Sequence, residues 1–274
     1  MKLIAWDTSS KAGAIVAMEW QPGSTSGSPF QIKSEWTLNL DAAQHSERLL
    51  WAVHQVLQAC QWKLEEIDVF GVGVGPGSFT GLRIGITTAR TLAQTMNKPL
   101  VGVSSLAALA RPVALHFSQN TQKTLVLAAT DAAKGEIFSI WGAANSILNC
   151  VAMADQEFPG LWKAGVEEEV ITPENLLASA MKKLKTCDQW VRIGEAKNRY
   201  EDSLWKKLPK TKEVECPLPS SDHVQGKYLG ILVWEAYQAG LARKALQVHP
   251  RYLRASDAEK KLKAGLLGKS EKKE

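Results

Sequence analysis

The chain has 274 residues, 45% hydrophobic and 22% charged, which suits one large or two small globular domains and excludes wholesale disorder. The formal charge is +5, and residues 257–274 supply +2 of it through six lysines against four acidic residues; the mildly basic body permits RNA contact as an accessory surface but does not indicate a dedicated nucleic-acid binder. Cys60, Cys150, Cys187 and Cys216 lack C-x-x-C spacing and read as buried free thiols of a reducing compartment; with charges as early as Lys2 and Asp7, and no run near the ~20 apolar residues of a membrane span, no membrane contact and a cytoplasmic location are expected.

In chain order, Leu3–Trp6 reads as a strand ending in the polar turn Asp7-Thr8-Ser9-Ser10. Gly13–Glu19 is a second strand, Gln21–Gln31 a Pro/Gly/Ser-rich hairpin loop and Lys33–Leu38 a third strand, so the start of the chain is an antiparallel meander. A helix follows, with Asp41 as N-cap, Gln44 completing a weak capping box, and Leu49, Leu50, Val53, Val56, Leu57 and Cys60 at helical spacing. Asp68–Val74 is a strand with a glycine-rich exit, and Gly81–Met96 a helix stopped by Asn97-Lys98-Pro99. Leu100–Val103 is the next strand, and Ser104 and Ser105 cap a helix reaching about Ala114. Strands are then expected at Thr124–Thr130, Gly135–Trp141 and Ser146–Met153. A helix follows at Pro173–Lys185, with Thr172 as N-cap and Pro173 in its first turn. A short strand, Trp190–Ile193, precedes an apolar helix, Val224–Leu241, and the lysine-rich segment after Ser256 reads as disordered. The partial repeat describes two α/β lobes with mixed sheets, joined near 104–123 and divided as 1–104, 105–256 and a tail 257–274.

The densest signal is Gly71-Val72-Gly73-Val74-Gly75-Pro76-Gly77-Ser78-Phe79-Thr80-Gly81-Leu82-Arg83-Ile84-Gly85. A glycine-rich turn between strand and helix offers unpaired N–H groups and a helix dipole to an anion, or lets neighbouring backbones approach closely. Neither the P-loop pattern, which needs a Lys-Ser/Thr pair, nor G-x-G-x-x-G, whose third glycine would fall on Thr80, is satisfied. Phe79 is placed as a core staple, and Arg83 either reaches an anion or faces solvent.

Gly75–Gly85 resembles the hallmark of the TsaB (YeaZ) family. In order along the chain, so do Ile4–Ser9, His45–Leu50, Pro99–Leu106, Asp131–Phe138 and Tyr252-Leu253-Arg254. The resemblance is dense over 2–140 and sparse beyond. It implies the two-lobed actin-like, Hsp70-like ATPase (ASKHA) fold and a role in making threonylcarbamoyladenosine beside the tRNA anticodon. It further implies a non-catalytic subunit that activates a TsaD-like paralogue alongside a TsaE-like ATPase, with self-association by the same surface and tRNA contact within the complex as further partners. Pairing is implied through the two early helices, here residues 41–61 and 79–96. The residues assigned to that interface are His45, Arg48, Leu49, Trp51, Ala52, Gly85, Ala89 and Ala93, the small ones permitting close helix approach.

Catalytic paralogues carry H-x-x-x-H on a helix, which sets two imidazoles on one face for a metal. Ser105 and Leu109 stand at those positions here, and no two of the five histidines are four apart. Asp7, Thr8 and Ser9, with Gly77, Ser78 and Arg83, form a candidate degenerate nucleotide or anion site; the competing reading of the first three is a turn whose side chains satisfy backbone N–H groups. No catalytic residue, resident cofactor or metal is expected. The alternatives are a metallopeptidase-like enzyme, an actin-like nucleotide-dependent enzyme and a stand-alone tRNA-binding module.

Overall fold

The computed structural model describes residues 1–21, 29–39, 45–120, 122–149, 166–219 and 222–254, without the side chains of 45–47. The middle of the expected 21–31 loop, the Asp41/Gln44 box, the side chain of His45, Cys150 to Met153, and the tail lie outside the described residues.

The first sheet combines β1 (Lys2–Asp7), β2 (Ala12–Trp20), β3 (Phe30–Asn39), β4 (Val69–Gly73) and β5 (Leu100–Val103) in the order β3-β2-β1-β4-β5. The β1–β2–β3 meander is antiparallel, while β4 and β5 join parallel to β1, with Leu3 opposite Val69 and Phe70 opposite Leu100. Parallel pairing demands crossovers, supplied by α1 (His45–Cys60) and α2 (Phe79–Thr95). The second sheet repeats the pattern with one strand fewer: β6 (Thr124–Asp131), β7 (Ile137–Ala143), β8 (Glu167–Ile171) and β9 (Gln189–Ile193) lie in the order β8-β7-β6-β9, with only β9 parallel. This is the two-lobed actin-like architecture.

Among the described residues three apolar cores stack on one another. The first lies between α1, α2 and the outer face of the first sheet, built around Trp6, Leu49, Val56, Phe70, Leu82 and Ile86. The second lies between the sheets and contains α3 (Ser105–Ser118) and α7 (Gly226–Gln238). The third covers the outer face of the second sheet with α5 (Pro173–Lys183) and the turns at 184–186 and 205–207, around Trp141, Leu176, Trp190 and Trp205.

The middle layer is exchanged between lobes. Helix α3 leaves the first sheet but packs on β6 and β7; α7, which the sequence division grouped with the second lobe, packs on β1, β2 and β5 of the first. The two helices touch, and Arg111 of α3 pairs with Glu235 of α7.

One strand was misplaced. Residues 144–148 form the short helix α4, with Ala144 and Ile147 buried at helical spacing, rather than the start of a strand. Among the described residues the third strand of the lobe is β8, whose Glu167-Glu168-Glu169 run hides any apolar alternation. A further single-turn helix, α6 (Ala196–Arg199), follows β9.

Candidate functional site

Asp7 ends β1 and is completely buried. Its Oδ1 accepts from the backbone N–H of Ser9 at 2.9 Å and from Ser9 Oγ at 2.6 Å. Its Oδ2 accepts from Ser105 Oγ at 2.5 Å, and Ser105 in turn accepts from the Gly75 N–H at 3.1 Å. Burial pushes the Asp7 carboxyl above its ordinary range, and the hydroxyl and N–H donors of Ser105 and Ser9 oppose that shift.

The glycine segment closes over this turn. Ser78 N–H donates to the Ser9 carbonyl at 2.7 Å, Thr8 Oγ1 donates to the Gly81 carbonyl at 2.7 Å, and Ser78 Oγ caps α2 by accepting from Gly81 N–H at 3.2 Å. A Cβ at Gly81 would lie 2.0 Å from the Thr8 carbonyl oxygen, one at Gly77 2.4 Å from that of Ser9, and one at Gly85 2.2 Å from Thr8 Oγ1. The glycines therefore serve close backbone approach. The two turns expected to cradle an anion between them are interlocked by their own hydrogen bonds, and Asp7 behaves as an internal acceptor.

Ser105 and Leu109 are both buried, Ser105 beneath Asp7 and Leu109 in the middle core. Among the described residues no three His, Cys, Asp or Glu side chains converge as metal ligands would.

Phe79 is not a core staple. It is 43% exposed, stacked on Tyr252 with ring centroids 5.0 Å apart, and the Arg83 guanidinium lies 4.9 Å above it. Arg83 thus stands in a surface stack at the start of α2, where Ser78 is also exposed.

The early helices divide differently from the expected interface. Leu49, Ala89 and Ala93 are fully buried in the first core, Ala52 is fully buried, and Gly85 is packed on Thr8, so the small-residue stripe faces the chain's own sheet. The outer flank carries Arg48, which donates to the Asn39 carbonyl at 3.1 Å, with Leu50 (50% exposed) and Trp51 (57% exposed). The Trp51 ring meets Trp36 of β3 edge-on at 5.9 Å. On α2 the exposed residues are Phe79, Thr80, Arg83, Thr87, Thr91, Gln94 and Thr95.

Sequence reasoning missed a link between the lobes. Glu168 of β8, its side chain 1% exposed, accepts from Ser104 Oγ at 2.5 Å and pairs with Arg251. Arg251 N–H also donates to the Val74 carbonyl at 2.8 Å. Three residues on, Arg254 donates to the Ala132 carbonyl at 2.6 Å and pairs with Glu136 on the β6–β7 hairpin. Residues 251–254 therefore strap the glycine segment to the second lobe. Beside that hairpin, Asp131 accepts from Tyr200 Oη at 2.9 Å and pairs with Arg199; burial, then this carboxylate, push the Tyr200 phenol up to about 12.

Comparison with known proteins agrees with this geometry. Residues 39–192 match the family described as TsaD, tRNA N6-adenosine threonylcarbamoyltransferase. The chain is 28% identical over 262 residues to the tRNA threonylcarbamoyladenosine biosynthesis protein TsaB of Escherichia coli, covering 96% of this chain and 98% of that protein. It is 31% identical over 229 residues to TsaB of Bacillus subtilis, covering 79% and 82%. A Pseudomonas aeruginosa crystal structure, of an uncharacterized protein with similarity to peptidase YeaZ, superposes with a TM-score of 0.64 at 25% identity, covering 92% of this chain and 99% of that one. The glycine segment, the two-lobed fold and these relatives agree, and the chain belongs to the TsaB (YeaZ) family.

Proposed function

We propose that this chain takes part in tRNA threonylcarbamoyladenosine biosynthesis as a non-catalytic subunit that docks a TsaD-like paralogue. The observation that carries the reading is the outer flank of α1, where Leu50 and Trp51 stand half or more exposed beside Trp36 while the rest of the helix is anchored in the core. Adjacent large apolar side chains held on a rigid helix are the kind of anchor around which interfaces form. The interlocked turns supply the complementary half: Asp7 has three internal donors and no solvent face, so the residues that would hold a nucleotide's metal are committed to the fold.

The interface is accordingly assigned to Arg48, Leu50 and Trp51 with the outer face of α2, rather than to its small residues. A pair of about 1,600 Å² total buried area is expected. A TsaE-like ATPase belongs to the same reading as a further component, and a second copy of the chain competes for the same flank.

Size-exclusion chromatography of the chain mixed with its TsaD-like paralogue tests the proposal. A complex that L50D/W51A abolishes is the expected result, with the variant monomer still folded by circular dichroism. Co-elution unaffected by that variant would put the interface elsewhere. Saturable calorimetric heat with Mg-ATP on the chain alone would contradict the committed-turn reading.

A further inference from the structure

The third core, farthest from α1 and α2, is roofed by α5 and the turns at 184–186, 205–207 and 210–212. Between residues 182 and 212 there are ten lysines and arginines against four acidic residues. Their distribution is not that of a neutralised surface. Arg192 pairs with Glu201 and Glu213, Lys183 with Glu167, Lys197 with Asp222, Arg199 with Asp131 and Lys206 with Asp202. These pairs use every acid of the stretch but Asp188 and Glu195. Lys182, Lys185, Lys207 and Lys210 are exposed, and among the described residues none forms an ion pair.

Packing brings these lysines onto one roof. Lys212 donates to the Leu184 and Cys187 carbonyls at 3.3 and 2.6 Å, clamping the 210–212 turn to the 184–187 turn. Trp190 Nε1 donates to the Pro209 carbonyl at 3.1 Å, and Leu184, Leu204, Trp205 and Leu208 share one buried cluster beneath. The four exposed lysines therefore sit on elements packed over one core, which also carry the exposed hydroxyls of Thr186, Ser203 and Thr211. Uncompensated lysines with neutral hydrogen-bonding neighbours, spread across short turns, suit a phosphate backbone. A membrane-docking face would add apolar wedges; among the described residues of this layer the large exposed apolar side chain is Met181.

We propose that this roof is a phosphate-backbone docking surface for RNA, on the side of the molecule opposite the partner helices, so that partner and RNA are held at once. The inference rests on the tRNA-modification reading above for its choice of RNA, and on the unpaired lysines for its location.

The test is fluorescence anisotropy with labelled bulk tRNA across a salt series, on the full chain alone and on its complex with the TsaD-like paralogue. K182E/K185E/K207E/K210E is expected to weaken binding about tenfold or more at low salt and to flatten the plot of log affinity against log salt by about 3, one counterion-release increment per lysine. The arginine counterpart K182R/K185R/K207R/K210R should bind as the parent chain does. Binding of tRNA indifferent to the glutamate set would overturn the proposal, as would no binding by the parent chain in either form. Lysine-dependent sedimentation with vesicles one-third phosphatidylglycerol, without tRNA binding, would also overturn it in favour of a membrane. Size exclusion with the paralogue on the same variants keeps the two readings apart: complex formation tests the docking flank on α1, and anisotropy tests the roof.

Discussion

Asp7 takes a carboxylate into the interior where only hydroxyl and N–H donors meet it. Such a network is expensive to break and cheap to keep, because each donor left behind loses its only partner. D7A should lower the unfolding free energy by about 1–3 kcal/mol in urea titrations, from the orphaned Ser9 and Ser105 donors. D7N keeps the shape without the charge and separates the electrostatic part. Because burial raises the folded-state pKa of Asp7, its protonated form is favoured in the fold. Its contribution to stability is then complete below the unfolded value of 3.8 and is lost as pH rises through the folded value. The stability of the parent chain relative to D7N should therefore grow as pH falls toward 3.8; a difference that shrank on acidification would contradict the assignment. The sequence admitted Asp7 both as part of a nucleotide or anion site and as a turn former; the donor that arrives from Ser105, 98 positions away, is visible only in the folded chain.

At the scale of elements, α2 shows how local signals and packing divide the work. Its stripe of Leu82, Ile86, Ala89 and Ala93 was legible from the 3.6-residue period, and Asn97-Lys98-Pro99 marked its end. Periodicity names the buried face without naming what buries it, so the same small residues were read as a site for a foreign helix. The observed contact is internal, with Gly81 and Gly85 set against Thr8. G81A should accordingly lower stability by at least about 2 kcal/mol by pushing backbone against backbone. S78A, which only removes the cap on Gly81 N–H, should cost about 1 kcal/mol. Thermal unfolding of the two variants side by side checks that order; a milder G81A would mean the turns are less tightly interlocked. β8 is the converse case. Its Glu168 side chain is buried because Ser104 and Arg251 come to it from other parts of the chain, which no local pattern around 167–169 announces.

For the molecule as a whole, the exchanged helices and the 251–254 strap make the lobes interdependent. Helix α7 returns from the second lobe to cover the first sheet, Arg111 and Glu235 join the two central helices, and Arg251 and Arg254 tie the C-terminal segment to β8 and the β6–β7 hairpin. Removing one member of a buried ion pair strands the other. E168A should therefore destabilise by about 3–5 kcal/mol, and E168A/R251M should recover a large part of that loss, measured as the coupling in a double-mutant cycle by chemical denaturation. Additive effects would show that the strap bears no charge-pair energy. A rigid two-lobe body also suits the proposed division of labour, with a protein partner on the α1 flank and RNA on the lysine roof held at a fixed separation.

Two lobes, a meander feeding parallel strands and the glycine segment were determined by the sequence alone. Each rests on local pattern: residue type, spacing, and the turn chemistry of glycine and proline. The tertiary structure decided which helix face is free, that the two anion-turn candidates lock into each other, which lobe each central helix serves, and where the lysines of 182–212 gather. Those outcomes depend on contacts between residues tens to more than a hundred positions apart, such as Asp7 with Ser105 and Glu168 with Arg251. Local periodicity carries no record of such pairings, because a stripe or a charge run looks the same whether it meets water, its own sheet or another molecule.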